Sequence, residues 1–182
     1  MIIDQDTIEI ATMSRADVPA VMEIERKSYT CPWHENAYLT ELSNSSATYI
    51  VARINGEAVG YAGMWVVMDE AHITTLAVDI SLRGKKIGER LLLSLIERAV
   101  HQGAERASLE VREHNIIAQN LYSKYGFHSA ALRKAYYTDN YENAVVMWVD
   151  RMRDENYRNL LATRREELMT TNHDCTGTGN KL

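Results

Sequence analysis

Three groups of residues in this chain have types and spacing that could do chemistry. Glu110 lies near the end of Arg106-Ala107-Ser108-Leu109-Glu110-Val111-Arg112, an alternating run that reads as a strand. A carboxylate so placed can act as a general base. Tyr122 belongs to a segment that starts at Asn115 and carries Ala118, Leu121, Tyr122 and Tyr125 before Gly126 stops it. That is a helix, and Tyr122 brings to it a phenolic O–H able to protonate a leaving group. The third group is the basic turn Arg83-Gly84-Lys85-Lys86-Ile87-Gly88, followed by Glu89-Arg90. It joins an apolar run ending at Leu82 to a helix whose Leu91, Leu92, Leu95, Ile96 and Ala99 share one face. A glycine-containing turn that opens a helix aims free backbone N–H groups at one point, where the helix dipole adds positive charge. An anion belongs there, most naturally a pyrophosphate. Each group also has a plainer reading: a solvated basic turn, a strand-end charge, a core tyrosine.

Other chemistries are poorly served. The turn has no Gly-Lys-Ser/Thr ending, so it is not a Walker loop, and it lacks the three glycines of a dinucleotide fingerprint. No Ser–His–Asp or Cys–His arrangement competes; Cys31 has only His34 near it in sequence and reads as a neutral loop thiol, and His72 and His114 read as ordinary polar residues. No Cys or His pair has zinc-ligand spacing, so no metal is expected. Net charge is −5 and the pI about 5.7, so no global field draws the chain to nucleic acid. The basic cluster is local and favours a small anionic ligand. Two cysteines give no disulfide framework and suit a reducing compartment. No signal pattern or long apolar run is present, so a cytoplasmic protein with no membrane partner is expected.

The elements that must hold these residues follow from periodicity. Ile8 to Met13 reads as a first strand, Ser14 caps a helix running to about Lys27, and a shorter helix runs from Glu35 to Leu42. Thr48–Ile54 and Glu57–Met68 form a hairpin through Asn55-Gly56, with Gly60 and Gly63 marking a bulge or bend. Ala71–Val78 leads into the basic turn, and the helix after it stops at Gly103. Phe127–Tyr137 and Ala144–Val149 read as closing strands joined through Thr138-Asp139-Asn140. The order β-α-α-β-β-β-α-β-α-β-β predicts an α/β (α+β) fold, a mixed and mostly antiparallel sheet with at least one parallel crossover. Beyond Asp150 the composition becomes highly charged. Residues 151 to 182 read as an appended amphipathic helix and a disordered tail, outside a domain of residues 1 to 150.

Two motifs carry a resemblance to a known family. Arg83 to Gly88 resembles the Q/R-x-x-G-x-G/A pyrophosphate loop of the GNAT N-acetyltransferases, with Lys86 where the family has its middle glycine. Glu110-Val111-Arg112 through Asn115, Ala118, Leu121-Tyr122 and Gly126-Phe127 resembles their E-V-R-x-x-N-x-x-A-x-x-L-Y-x-x-x-G-F segment, which is the more specific of the two. Cys31-Pro32-Trp33, Asp69-Glu70-Ala71, Leu76-Ala77-Val78 and Arg133-x-x-Tyr136-Tyr137 add to it, and within the family the likeness is greatest to the ribosomal-protein-alanine N-acetyltransferases of the RimI type. It covers roughly residues 6 to 150.

The resemblance implies an acyl-CoA N-acyltransferase fold whose central strand splays from its neighbour. Acetyl-CoA would lie in the notch, its pantetheine along Leu76, Ala77 and Val78. Its pyrophosphate would sit on the amides from Gly84 through Lys85, Lys86, Ile87 and Gly88 to Glu89, with Arg83 beside it. Asn115 and Ala118 would contact it at the mouth of the next helix. Transfer would be direct, with Glu110 as base for the amine and Tyr122 as acid for the CoA thiolate. Pro32, Trp33, Tyr136 and Tyr137 would line the mouth for a peptide substrate. Three functions stand: an N-terminal α-amine acetyltransferase acting on a ribosomal protein, an acetyltransferase for lysine side chains or a small amine, and a CoA-binding module without turnover. Neither the preferred peptide nor the oligomeric state is readable.

Overall fold

The computed structural model describes residues 8–170. The strands are β1 (Ile8–Thr12), β2 (Ala47–Ile54), β3 (Glu57–Val67), β4 (Glu70–Val78), β5 (Arg106–Arg112), β6 (His128–Arg133) and β7 (Ala144–Val149). The helices are α1 (Val18–Ser28), α2 (Glu35–Glu41), α3 (Ile87–His101), α4 (Ile116–Lys124) and α5 (Glu155–Thr170). The strands form one sheet in the order β1-β2-β3-β4-β5-β7-β6, antiparallel except where β4 meets β5. This is the mixed α/β sheet that the element order predicts.

Two layers cover the sheet. On one face α1 and α2 bury Val21, Met22, Ile24 and Tyr38 against Tyr49, Val51, Tyr61 and Ala77. On the other, α3 buries Leu91, Leu92, Leu95 and Ile96 against Ile50, Ala62, Met64 and Ile73. The same layer takes in α5, through Tyr157, Leu161 and Leu168. The helix beyond residue 150 is therefore docked on the core. The expected tail from 171 to 182 lies outside the described residues.

What matters for a site is where the sheet opens. The parallel β4–β5 ladder runs only from Glu70↔Arg106 to Ile73↔Leu109. At that point β4 carries an extra residue against β3, since Gly63 faces Thr75 and Met64 faces Ile73, leaving Thr74 as a bulge. A bulge bends its strand and sharpens the local twist, so β4 parts from β5 at Thr74. Gly63 is required here: a Cβ on it would lie 2.3 Å from the Tyr49 ring. The Tyr49 hydroxyl in turn lies 3.3 Å from Thr74 Oγ1. Beyond the bulge, residues 74–78 keep β3 on one side and leave the other side open.

Two elements differ from the sequence expectation. The penultimate strand ends at Arg133, so Tyr136 and Tyr137 lie in the β6–β7 loop and not in a strand. Ala135 has φ +49°, a left-handed conformation that breaks the extended run, and its N–H is taken by Asn143 Oδ1 at 3.0 Å. The basic turn also holds a non-glycine left-handed residue: Lys86 has φ +59° and occupies the N-cap of α3.

Candidate active site

Glu110 sits one residue beyond the last β4–β5 pair, at the floor of the notch, with 11% of its side chain exposed. Its Oε1 accepts from Arg133 Nη1 at 3.0 Å, and its Oε2 lies 3.3 Å from His72 Nε2. His72 is the residue that sequence reading leaves out. The signal for it was the strand period: Glu70 and His72 alternate with buried Ala71 and Ile73, as Ser108 and Glu110 alternate with buried Ala107 and Leu109. What no single sequence supplies is the register that sets His72 against Ser108.

Tyr122 faces the core from α4, its ring tilted against Phe127 at 6.0 Å. Burial raises its phenol well above the ordinary range, and the phenols of Tyr29 and Tyr137 add to the effect. It therefore stays protonated at neutral pH and can act as a donor. Tyr29 donates its hydroxyl to the Leu76 carbonyl at 3.0 Å, tying the end of α1 to the open part of β4.

The basic turn is fastened from both sides. Arg83 Nε donates to the Val78 carbonyl at 3.4 Å and its Nη2 to Ser28 Oγ at 3.4 Å, and Lys27 pairs with Asp79 at 3.6 Å. In the first turn of α3, Glu89 pairs with Lys124 of α4 at 3.6 Å, and Arg90 donates to the Leu168 carbonyl of α5 at 2.9 Å. Gly84 has φ +78° and Lys86 is left-handed, so the chain doubles back before entering α3. An ideal Cβ on Gly88 would lie 3.6 Å from both Leu76 Cδ2 and Val78 Cγ2, ordinary contact distances. Gly88 thus faces the open stretch of β4, and no crowding by the protein itself demands glycine there. Asn115 caps α4, its Oδ1 accepting from the Ala118 N–H at 3.1 Å.

Two loops bound the mouth, and they meet. Thr30 donates its hydroxyl to Asp139, joining the α1–α2 loop to the β6–β7 loop. Arg112, at the end of β5, holds Asp139 at 2.8 Å and Glu142 at 2.9 Å, and its guanidinium lies 3.9 Å from the centre of the Tyr137 ring. These donors, with the His114 N–H and ring, hold the Glu142 carboxyl down at about 2. Tyr137 packs edge-on against Tyr136 at 5.3 Å, and burial pushes its phenol up to about 12. On the opposite side Glu25, 2% exposed, accepts from the Trp33 N–H at 2.9 Å, from Tyr38 at 2.9 Å and from Tyr61. That buried carboxylate fixes the Pro32-Trp33 turn. Burial raises its own proton affinity against the pull of the Trp33 and Tyr38 donors. Among the described residues no cluster of three His, Cys, Asp or Glu side chains is placed to hold a metal, and no helix is long and apolar enough to cross a membrane.

The open side of β4, the amides at the start of α3 and the space beside Gly88 suit an extended ligand that carries a diphosphate. Comparison with known proteins identifies the family. The model of the Acetyltransferase (GNAT) family matches residues 18–127. A Bacillus subtilis (strain 168) protein, provisionally named a ribosomal protein bS18-alanine N-acetyltransferase, is 43% identical over 141 residues, 77% of this chain and 93% of that one. The ribosomal protein bS18-alanine N-acetyltransferase of Escherichia coli (strain K12) is 34% identical over 142 residues, 76% of this chain and 94% of that one. A crystal structure of the Escherichia coli ribosomal-protein-S18-alanine N-acetyltransferase superposes with a TM-score of 0.74 at 31% identity, covering 79% of this chain and 94% of that one. The chain belongs to the GNAT family of acetyl-CoA-dependent N-acetyltransferases.

Proposed function

We propose that this enzyme acetylates the N-terminal α-amine of a ribosomal protein, an alanine terminus of the bS18 kind. The observation that carries the reading is the position of Glu110, recessed where β4 and β5 part and reached through a mouth bridged by Thr30 and Asp139. The names of the 43% and 34% identical relatives supply the substrate class. Lysine side chains or a small amine, and CoA binding without turnover, are the competing readings.

Acetyl-CoA supplies the acetyl thioester; the protein supplies position and proton transfer. The backbone of Leu76, Ala77 and Val78 offers an open strand edge for the pantetheine. Amides from Gly84 to Glu89, under the positive end of α3, suit the diphosphate. Asn115 and Ala118 flank it from the start of α4. Pro32 and Trp33 on one loop, and Tyr136 and Tyr137 on the other, frame the peptide. An α-amine is largely protonated at neutral pH, so Glu110 takes a proton from it, directly or through a water. Arg133 holds the other carboxylate oxygen and orients it. Tyr122, protonated and buried, donates to the departing thiolate. The test is acetyl-CoA turnover against a panel of N-terminal peptides with internal-lysine peptides as controls. Turnover of Ala-initiated peptides is expected; acetylation of lysine controls alone, or of no peptide, overturns the reading.

A further inference from the structure

One face of the β4–β5 ladder carries a continuous row of polar side chains leading away from the notch. Glu110 Oε2 lies 3.3 Å from His72 Nε2, His72 Nδ1 lies 3.0 Å from Ser108 Oγ, and Ser108 Oγ lies 3.3 Å from Glu70 Oε1. The two outer carboxylate oxygens are held by arginines: Arg133 on Glu110 Oε1 at 3.0 Å, Arg106 on Glu70 Oε2 at 3.6 Å. Each carboxylate therefore turns its second oxygen inward. Ser108 is buried, while Glu70 has 37% of its side chain exposed. The Trp65 ring stands 6.3 Å from the imidazole. Row and register have one origin, since alternate residues of each strand share a face and the ladder sets His72 beside Ser108.

A count of hydrogens shows what the row can do. Three contacts separate its four groups, and both ends are ionised carboxylates that only accept. Ser108 supplies one hydrogen and neutral His72 one more. One contact is therefore always without a hydrogen, and two acceptors face each other across it. A third proton completes the row, with both ring nitrogens of His72 donating, Nε2 to Glu110 and Nδ1 to Ser108, and Ser108 donating to Glu70.

We propose that this row, and not Glu110 alone, stores the proton released by the attacking amine, and that Ser108 and Glu70 are positioning residues that let His72 carry it. The proposal rests on Glu110 as the base. The proton leaves the amine nitrogen as the N–C bond to the acetyl group forms, enters the row at Glu110, and resides on the imidazole between two carboxylates. As that bond forms the C–S bond of the thioester breaks, and the sulfur takes a proton from Tyr122; before the next turnover the row releases its proton to water and Tyr122 regains one from water. His72 faces Glu110 directly and Glu70 through Ser108, so the stored charge is balanced at both ends, and Glu70 at the surface gives the row an outlet.

The test compares the full-length variants Ser108→Ala, Ser108→Thr, Glu70→Ala and Glu110→Gln in acetyl-CoA turnover of an accepted peptide across pH. Ser108→Ala and Glu70→Ala are expected to lower kcat by about 10-fold or more at neutral pH, with KM for peptide and acetyl-CoA unchanged. The loss should shrink as pH rises and the amine deprotonates without help. Ser108→Thr, which keeps the hydroxyl, should restore the rate. A merely structural role for Ser108 moves none of this pH dependence. If Glu110→Gln lowers the rate while Ser108→Ala and Glu70→Ala match wild type at every pH, the row is overturned and the base reading stands. Should Glu110→Gln itself keep wild-type turnover, the base reading falls and takes the row with it.

Discussion

In the proposed mechanism Glu110 and Tyr122 act on different atoms, so their losses should separate. Glu110→Gln keeps size and removes basicity, and kcat/KM at neutral pH is expected to fall by ~10²–10⁴, with part of the loss recovered at alkaline pH. Tyr122→Phe keeps the packing against Phe127 and removes the donor. It should lower kcat, leave acetyl-CoA affinity nearly unchanged, and show no comparable rescue by pH. Steady-state kinetics from pH 6 to 10 with a single peptide decide both; an unaltered kcat for Tyr122→Phe would make it a core residue only. Both could be named as candidates from the sequence because they fall inside one dense motif of fixed spacing. His72 could not. Its proposed role comes from a neighbour 38 residues away in the chain, Glu110, and from a parallel register that side-chain alternation alone does not set.

At the scale of elements, the pyrophosphate turn and the bridged mouth make separable claims. Gly88→Glu places a carboxylate where the diphosphate should lie, yet its Cβ meets only ordinary contacts at 3.6 Å. The variant should fold and melt near wild type without ligand, and lose the stabilisation that acetyl-CoA gives. If it gains as much from acetyl-CoA as wild type, the pyrophosphate assignment is wrong. Lys86→Gly relieves a left-handed residue, φ +59°, worth ~1–2 kcal/mol. It also loosens the unfolded chain, at a smaller ~0.4–1 kcal/mol, so the melting temperature should hold or rise by up to about 6 °C. The mouth gives a pH prediction. The Glu142 carboxyl is depressed from its ordinary 4.5 to about 2, chiefly by Arg112. A depressed carboxyl contributes its stabilisation above the unfolded value and loses it as pH falls through the folded one. The 134–143 loop should thus hold firm above pH 4.5 and loosen progressively toward about pH 2, which hydrogen exchange of its amides would report. Protection that is flat across that window would remove Glu142 from the clamp. Sequence periodicity found the strands and helices but overran β6, because the left-handed turn at Ala135 follows from contacts with Asn143 and not from local propensity. The bulge at Thr74, which opens the notch, was equally out of reach; only Gly63 hinted at it.

For the whole molecule the question is what α5 contributes. The composition shift after Asp150 was plain in the sequence, but a charged helix with widely spaced apolar residues does not reveal whether it docks. It does dock: Leu161 and Leu168 are 6% and 3% exposed, the Tyr157 hydroxyl donates to the Tyr125 carbonyl at 2.9 Å, and Arg90 reaches the Leu168 carbonyl from the first turn of α3. None of the residues assigned to proton transfer lies in it. Removing α5 should therefore cost stability first, with the acetyl-transfer groups left in place. Leu161→Ala is the gentler probe. A buried Leu→Ala costs ~2–5 kcal/mol, and at this chain length each kcal/mol moves Tm by ~2–4 °C. A fall in Tm of roughly 4–20 °C is expected, with kcat at low temperature near wild type. Saturating acetyl-CoA at ~100 times its Kd adds about 2.7 kcal/mol, enough to offset much of that loss. Because Arg90 ties to α5 the same turn of α3 that is proposed to offer its amides to the diphosphate, ligand should protect the α5 amides from exchange as well as raise Tm. A Leu161→Ala protein that stays folded, keeps its Tm and yet loses turnover would reverse the assignment and make α5 part of the catalytic apparatus.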